Sequence, residues 1–206
     1  MQSHVKKSGG ELLLFSVSAG DIHDVVHLLE EDEVDIMYSN VNGQTALHFA
    51  VMGHNFTMIE LLLQFQANPN IQDNLEVGFN TPLHIATDHN QLNIIELLLD
   101  KGGNPSIQNK CGFTCLHIAA RNGFLEMTKL LKAKGVDQDI RDHFQNNAAY
   151  WAKEYDHHDV MALLTPPLKV SKEEFTEYME QIWADAGVDP GKKKGKKGKK
   201  GKKKKK

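Results

Sequence analysis

Eleven histidines and two cysteines are the side chains of this protein with most reason to do chemistry. Imidazole binds metals and moves protons near neutral pH, and a thiolate is both nucleophile and metal ligand. His48, His84 and His117 stand 36 and 33 residues apart. A side chain returning at such a period occupies one position of successive structural units, so the three lie along a line, too far apart to share an ion. Cys111, Cys115 and His117 come closer to a ligand set, but a fourth partner is lacking and the spacing matches no common zinc pattern. No nucleophile constellation stands out. Lys101-Gly102-Gly103 reads as a helix exit, and no glycine-rich phosphate loop follows a strand. The expectation is a chain that binds and does not catalyse: no enzyme, no metal, no cofactor.

The elements that carry these histidines repeat. Thr45-Ala46-Leu47-His48-Phe49-Ala50 returns as Thr81-Pro82-Leu83-His84-Ile85-Ala86 and as Thr114-Cys115-Leu116-His117-Ile118-Ala119. Each copy is followed by a second apolar block: Met58–Leu63, Ile94–Leu99 and Met127–Leu131. Two weaker copies extend the register, with Leu14 and Tyr150 at the histidine position. That makes five units over 11–164, the outer two altered as end caps must be, since each has a face without a neighbour. The Thr can cap a short first helix, and Pro82 stands where an early helical position tolerates it. A second helix ends each unit with apolar residues that one unit alone cannot bury. The spacing of 36 between His48 and His84 predicts about three extra residues near Asn74–Gly78, hence a longer loop there.

Thr-Pro-Leu-His-x-Ala in register at this period resembles the ankyrin repeat. The resemblance implies an all-α ankyrin-repeat solenoid, built of helix-turn-helix units with hairpin loops between them. It also implies that His48, His84 and His117 are structural, hydrogen-bonding backbone and tying neighbouring repeats. In such arrays partners meet the hairpin tips and the exposed end of each first helix. Carried over by register, these positions are Val41, Asn42, Gln44, Met52 and Gly53 in the second repeat, and Val77, Gly78, Asn80, Asp88 and His89 in the third. In the fourth they are Lys110, Cys111, Phe113, Arg121 and Asn122, and in the fifth His143, Phe144, Asn146, Glu154 and Tyr155. Met52, Asp88, His89, Phe113, Arg121, Phe144, Glu154 and Tyr155 are therefore the candidate partner-binding residues. The aromatics Phe113, Phe144 and Tyr155 have two readings: interface anchors, or covers for an adjacent repeat or for the C-terminal helix. Leu62, eight residues before Asn70, makes Asn70 similar to ankyrin asparagines hydroxylated by an oxygen-sensing dioxygenase. His157 and His158 read as solvated turn residues.

Charge is segregated along the chain. Of 24 Lys and Arg residues, 12 lie in 191–206, which holds no acid, leaving residues 1–190 with 12 basic against 27 acidic side chains, a balance of −15. The organisation expected is an N-terminal segment 1–10, the repeat domain 11–164, an amphipathic helix within 165–187 and a disordered Lys/Gly tail at 188–206. The helix starts at the capping box Ser171–Glu174 and carries Phe175, Tyr178, Met179, Ile182 and Trp183 on one face. The Lys192–Lys206 tract has no aromatic for base stacking and fits a polyanion: an acidic protein tail, RNA, DNA or an anionic surface. Only two cysteines, four positions apart, and no visible secretory signal favour a reducing compartment, and Leu12–Phe15 is too short to span a membrane. The function expected is a protein-interaction adaptor or assembly subunit in the cytoplasm. The alternatives are a nuclear, nucleic-acid-associated regulator and a structural cytoskeletal or ciliary component.

Overall fold

The computed structural model describes residues 8–164 except 31–33 and 75. Its backbone contacts divide the chain into units Met1–Thr165 and Pro166–Lys206, and the described residues all belong to the first. The helix expected within 165–187 and the tail at 188–206 lie outside the described residues.

Ten helices are present among the described residues: α1 Gly9–Ala19, α2 Ile22–Glu30, α3 Ala46–Met52, α4 Phe56–Gln64, α5 Pro82–Asp88, α6 Leu92–Asp100, α7 Cys115–Arg121, α8 Leu125–Ala133, α9 Ala148–Glu154 and α10 His158–Leu164. They form five helix-turn-helix pairs. The first helices, α1, α3, α5, α7 and α9, pack on one another in an inner row, while α4 meets α6 and α8 meets α10 in an outer row.

Local chemistry sets the boundaries. Thr45, Thr81 and Thr114 are extended N-caps of α3, α5 and α7, and Asn147 caps α9 by accepting from the Tyr150 N–H. Pro82 occupies the start of α5, where its missing N–H has no intrahelical partner to lose. Six residues after the histidine position every turn between paired helices contains a left-handed residue: Gly20, His54, Asn90, Gly123 and Asp156. This reverses the chain within one residue, even where glycine is not supplied.

Stacking buries what single units cannot. Leu47, Leu83 and Leu116 of the inner row and Met58, Ile59, Leu62, Ile95, Leu98, Met127 and Leu131 of the outer row are fully or almost fully buried. Each such side chain contributes roughly 1.5–3 kcal/mol relative to exposure. The loops between pairs form fingers that bond to the next finger along the stack. Gln72 Nε2 donates to the carbonyls of Phe79 (2.7 Å) and Gln108 (3.0 Å), and Gln108 Nε2 repeats this with Gly112 (2.7 Å) and Arg141 (2.8 Å). The finger predicted to be longer is so: the Asn74 carbonyl accepts from the N–H groups of Val77, Gly78 and Phe79, closing a compact turn. Asn74 also leans on the preceding finger, through its N–H to Asn42 O (2.9 Å) and its Nδ2 to Val41 O (2.7 Å).

Candidate functional site

The histidines come first, because they show what is structure and what is left over for binding. His48, His84 and His117 are buried. Each Nδ1 accepts from the backbone N–H of its own N-cap threonine, at 3.1, 3.1 and 3.2 Å. The proton therefore sits on Nε2, which donates across to the next finger: to Asn80 O (3.1 Å), Phe113 O (3.0 Å) and Asn146 O (3.3 Å). Burial lowers the pKa of all three, that of His84 to about 4, so the neutral ring is the folded form. His157, expected to be solvated, is instead half-buried and makes a fourth tie, its Nε2 meeting Arg121 O at 3.0 Å. A turn residue can reach back here because the adjoining Gly123 leaves the space open: a Cβ there would lie 2.6 Å from the His157 ring.

The cysteines are separated by environment. Cys111 is exposed on a finger, whereas Cys115 opens α7 fully buried, its thiol pushed up to about 12 by burial. Among the described residues no three His, Cys, Asp or Glu side chains converge as a metal site would need. Asn70 bridges two repeats, donating to Gly102 O (3.0 Å) and accepting from Asn104 N–H (2.7 Å), and Leu62 is fully buried.

Between the fingers and the inner helices runs an open groove of about 280 Å³. Met52, Asp88, His89, Phe113 and Arg121, five of the eight expected binding residues, line it together with Gln44, Asp73, Val77, Asn80, Ile85 and Ile118. Phe144, Glu154 and Tyr155 lie outside it, all three exposed, Phe144 at 71% and Tyr155 at 53%. Helical register explains the grouping. Met52, Asp88, Arg121 and Glu154 share one position four residues after the histidine site. A residue four on from a buried one stands on the same face, one turn further along.

Of the two readings open for Phe113, the structure shows the covering one: it is only 6% exposed. Its ring stacks on His117 (5.7 Å, 2° between planes), takes the edge of Trp151 at 5.2 Å and carries the Arg121 guanidinium at 5.5 Å. It is thus part of the groove's floor and covers the adjacent repeat. Arg121 is held further by Asp88 at 3.6 Å, and Asn122 Nδ2 donates to the same carboxylate at 3.1 Å.

Sequence reasoning missed Trp151 and Asp73. Trp151 is half-buried, donates from Nε1 to Asp142 Oδ2 at 2.7 Å and joins Phe113 to Tyr150 and Tyr155 in one aromatic cluster. The signal was available: Trp151 follows the histidine position, as Phe49, Ile85 and Ile118 do, which makes an apolar row along the inner face. No helix among the described residues is long and apolar enough to cross a membrane.

Comparison with known proteins agrees with this architecture. A family model described as ankyrin repeats, in three copies, matches residues 12–109 and 83–174. The chain is also 38% identical over 141 residues to the palmitoyltransferase akr1 of Schizosaccharomyces pombe, a match that takes in 68% of this chain and 22% of that protein. The chain thus spans about a fifth of the length of the curated relative it matches.

Proposed function

Because the chain belongs to the ankyrin-repeat family, we propose that it is a non-enzymatic adaptor or assembly subunit that holds a partner protein in the groove between its fingers and inner helices. The observation that carries this is the division of labour along the repeats. In the three middle repeats the histidine, leucine and threonine positions hold the same residues and are consumed by packing and by ties between repeats. The position four residues on from the histidine changes from Met52 to Asp88, Arg121 and Glu154, and three of these four line the groove. Exposed apolar side chains at Val41 (92%), Phe144 and Tyr155 continue the same surface beyond it. Large apolar groups held in water on a rigid scaffold are the usual anchors of an interface.

In this reading the Lys192–Lys206 tract is a second, independent element that holds a polyanionic surface. Its support is compositional: 12 lysines among 16 residues of 191–206 with no acid. The adaptor acts in the cytoplasm. A nuclear regulator tethered to nucleic acid by the tail, or a cytoskeletal component, is the competing assignment. The match to the palmitoyltransferase takes in 22% of that protein and supports the repeat architecture alone.

Affinity capture from cell extract with three full-length baits separates these readings. The baits are the native chain, one with every lysine of 192–206 changed to serine, and one carrying Met52→Glu, Phe144→Ala and Tyr155→Ala. A protein retained by the first two baits and lost by the third supports the adaptor. Capture that depends on the lysines alone, whatever the groove carries, refutes it in favour of a polyanion tether.

A further inference from the structure

Four fingers place an Asn or Asp at the same turn: Asn40, Asp73, Asn109 and Asp142. In each, Oδ1 accepts backbone N–H groups of its own finger, from Gln44, Asn80, Phe113 and Asn146 at 2.7–3.1 Å. The second polar atom of the side chain is also paired in three of the four. Asn40 Nδ2 donates to Gln44 Oε1 (3.2 Å), Asn109 Nδ2 donates to Asn80 Oδ1 (3.1 Å), and Asp142 Oδ2 accepts from Trp151 Nε1 (2.7 Å). Asp73 is the exception. It is 2% exposed, it lines the groove, and its Oδ2 has no hydrogen-bond partner. Burying an acceptor without a donor is unfavourable, and doing so with a carboxylate more so. An amide at this position would do the finger's structural work, as Asn40 and Asn109 do. The oxygen left over at Asp73 therefore points to a donor that arrives from outside.

We propose that the groove receives an extended, basic peptide segment of a partner protein, with the guanidinium of an arginine pairing with Asp73 Oδ2. The inference rests on the groove being the partner site and names the chemistry that site recognises. Charge complementarity supports a cation at Asp73: Asp88, the groove's other carboxylate, is engaged by Arg121 of the same groove, which leaves Asp73 as the carboxylate without a counter-ion there, and residues 1–190 carry a balance of −15. Arginine fits better than lysine because its planar fork offers several N–H donors in fixed directions. One can meet the carboxylate while others stay hydrated in the open groove, whose amides Gln44, Asn80 and Asn109 are already paired within and between the fingers. The apolar neighbours of the arginine lie against Met52, Ile85 and Ile118, the groove's apolar side.

The probes are three fluorescein-labelled nonapeptide pools with uncharged, randomised flanks and a central arginine, citrulline or glutamate. Binding to the full chain is read by fluorescence anisotropy at roughly 0.15 M salt, where long-range attraction is screened. Citrulline keeps the shape of arginine and removes the charge. The arginine pool is expected to bind about tenfold more tightly than the citrulline pool, the scale of one charge-assisted pair. Asp73→Asn, which retains Oδ1 for the Asn80 N–H, is expected to erase that preference. Urea unfolding of the variant checks that the array is intact, and Asn at the sister positions shows that the turn accepts it. Equal binding of the two pools, no binding of either, or a preference that survives Asp73→Asn overturns the proposal. If the three-bait capture still finds a groove-dependent partner in that case, the adaptor reading stands and only the arginine site falls.

Discussion

Lowering the pH from 7 to 5 should remove a defined part of the stability through His84 alone. Its ring is 1% exposed, with Nδ1 occupied by the Thr81 N–H and Nε2–H engaged by Phe113 O. A second ring proton would have to face the Thr81 N–H in a site that water does not reach. Burial accordingly lowers its pKa from 6.5 to about 4. The sign follows from proton counts. Between those two values the unfolded chain binds a proton at this residue and the folded chain does not, so stability is full above about pH 6.5 and falls as pH drops. At 1.36 kcal/mol per unit of difference, the loss is about 2 kcal/mol by pH 5 and about 3 kcal/mol by pH 4. His48 and His117 are shifted in the same direction for the same first cause, burial, and steepen the decline. Urea unfolding of the native chain and of His84→Gln at a series of pH values isolates the term. The advantage of the native chain over the variant should shrink by about 2 kcal/mol between pH 7 and 5. In proton NMR the His84 ring should stay neutral to pH 5. A ring that titrates near 6.5, or an advantage unaltered by pH, would refute the account of the tie between the repeats.

Asp73→Asn should raise stability at pH 7 by about 1 kcal/mol, because it relieves a buried carboxylate oxygen that lacks a donor. Burial raises the Asp73 pKa, so the folded chain holds this proton more tightly than the unfolded one and the gain should fade in acid; a variant less stable at neutral pH speaks against the orphaned oxygen. Gly112→Ala should cost at least about 1 kcal/mol, since Gly112 has φ +79° and a Cβ there would lie 2.6 Å from the His143 nitrogen; thermal unfolding measures it, and an unchanged midpoint contradicts the finger-to-finger approach. Ellman's reagent should label one thiol of the native protein, Cys111, and reach Cys115 only in denaturant; two fast thiols would mean that the start of α7 is open.

The array itself was legible from the chain because its determinants are local and periodic. Threonine caps, Pro82 at the start of α5, the apolar positions of the second helices and the three histidines are each specified within a few residues, and the period aligns them. The insertion near Asn74–Gly78 could be read as a longer finger from spacing alone, though not its hydrogen bonds to Asn42 and Val41, which belong to a different repeat. Register alone also places Met52, Asp88, His89 and Arg121 at positions that line one groove.

What sequence could not decide is which side of each exposed position another repeat would take. Phe113 stands at a position where Gln44, Asn80 and Asn146 are only partly buried, yet it is covered, because Trp151 from the next repeat and Arg121 from its own close over the ring. His157 reaches Arg121 O across the turn for a similar reason: Gly123 leaves it the room. Asp73 matches its sister residues in position, and it differs in that the second polar atom of its side chain has no partner. Composition and spacing thus determine the repeating unit, whose energetics are short-range. The burial of any one side chain depends on the neighbour stacked against it, a contact between residues some thirty positions apart that only the tertiary structure supplies.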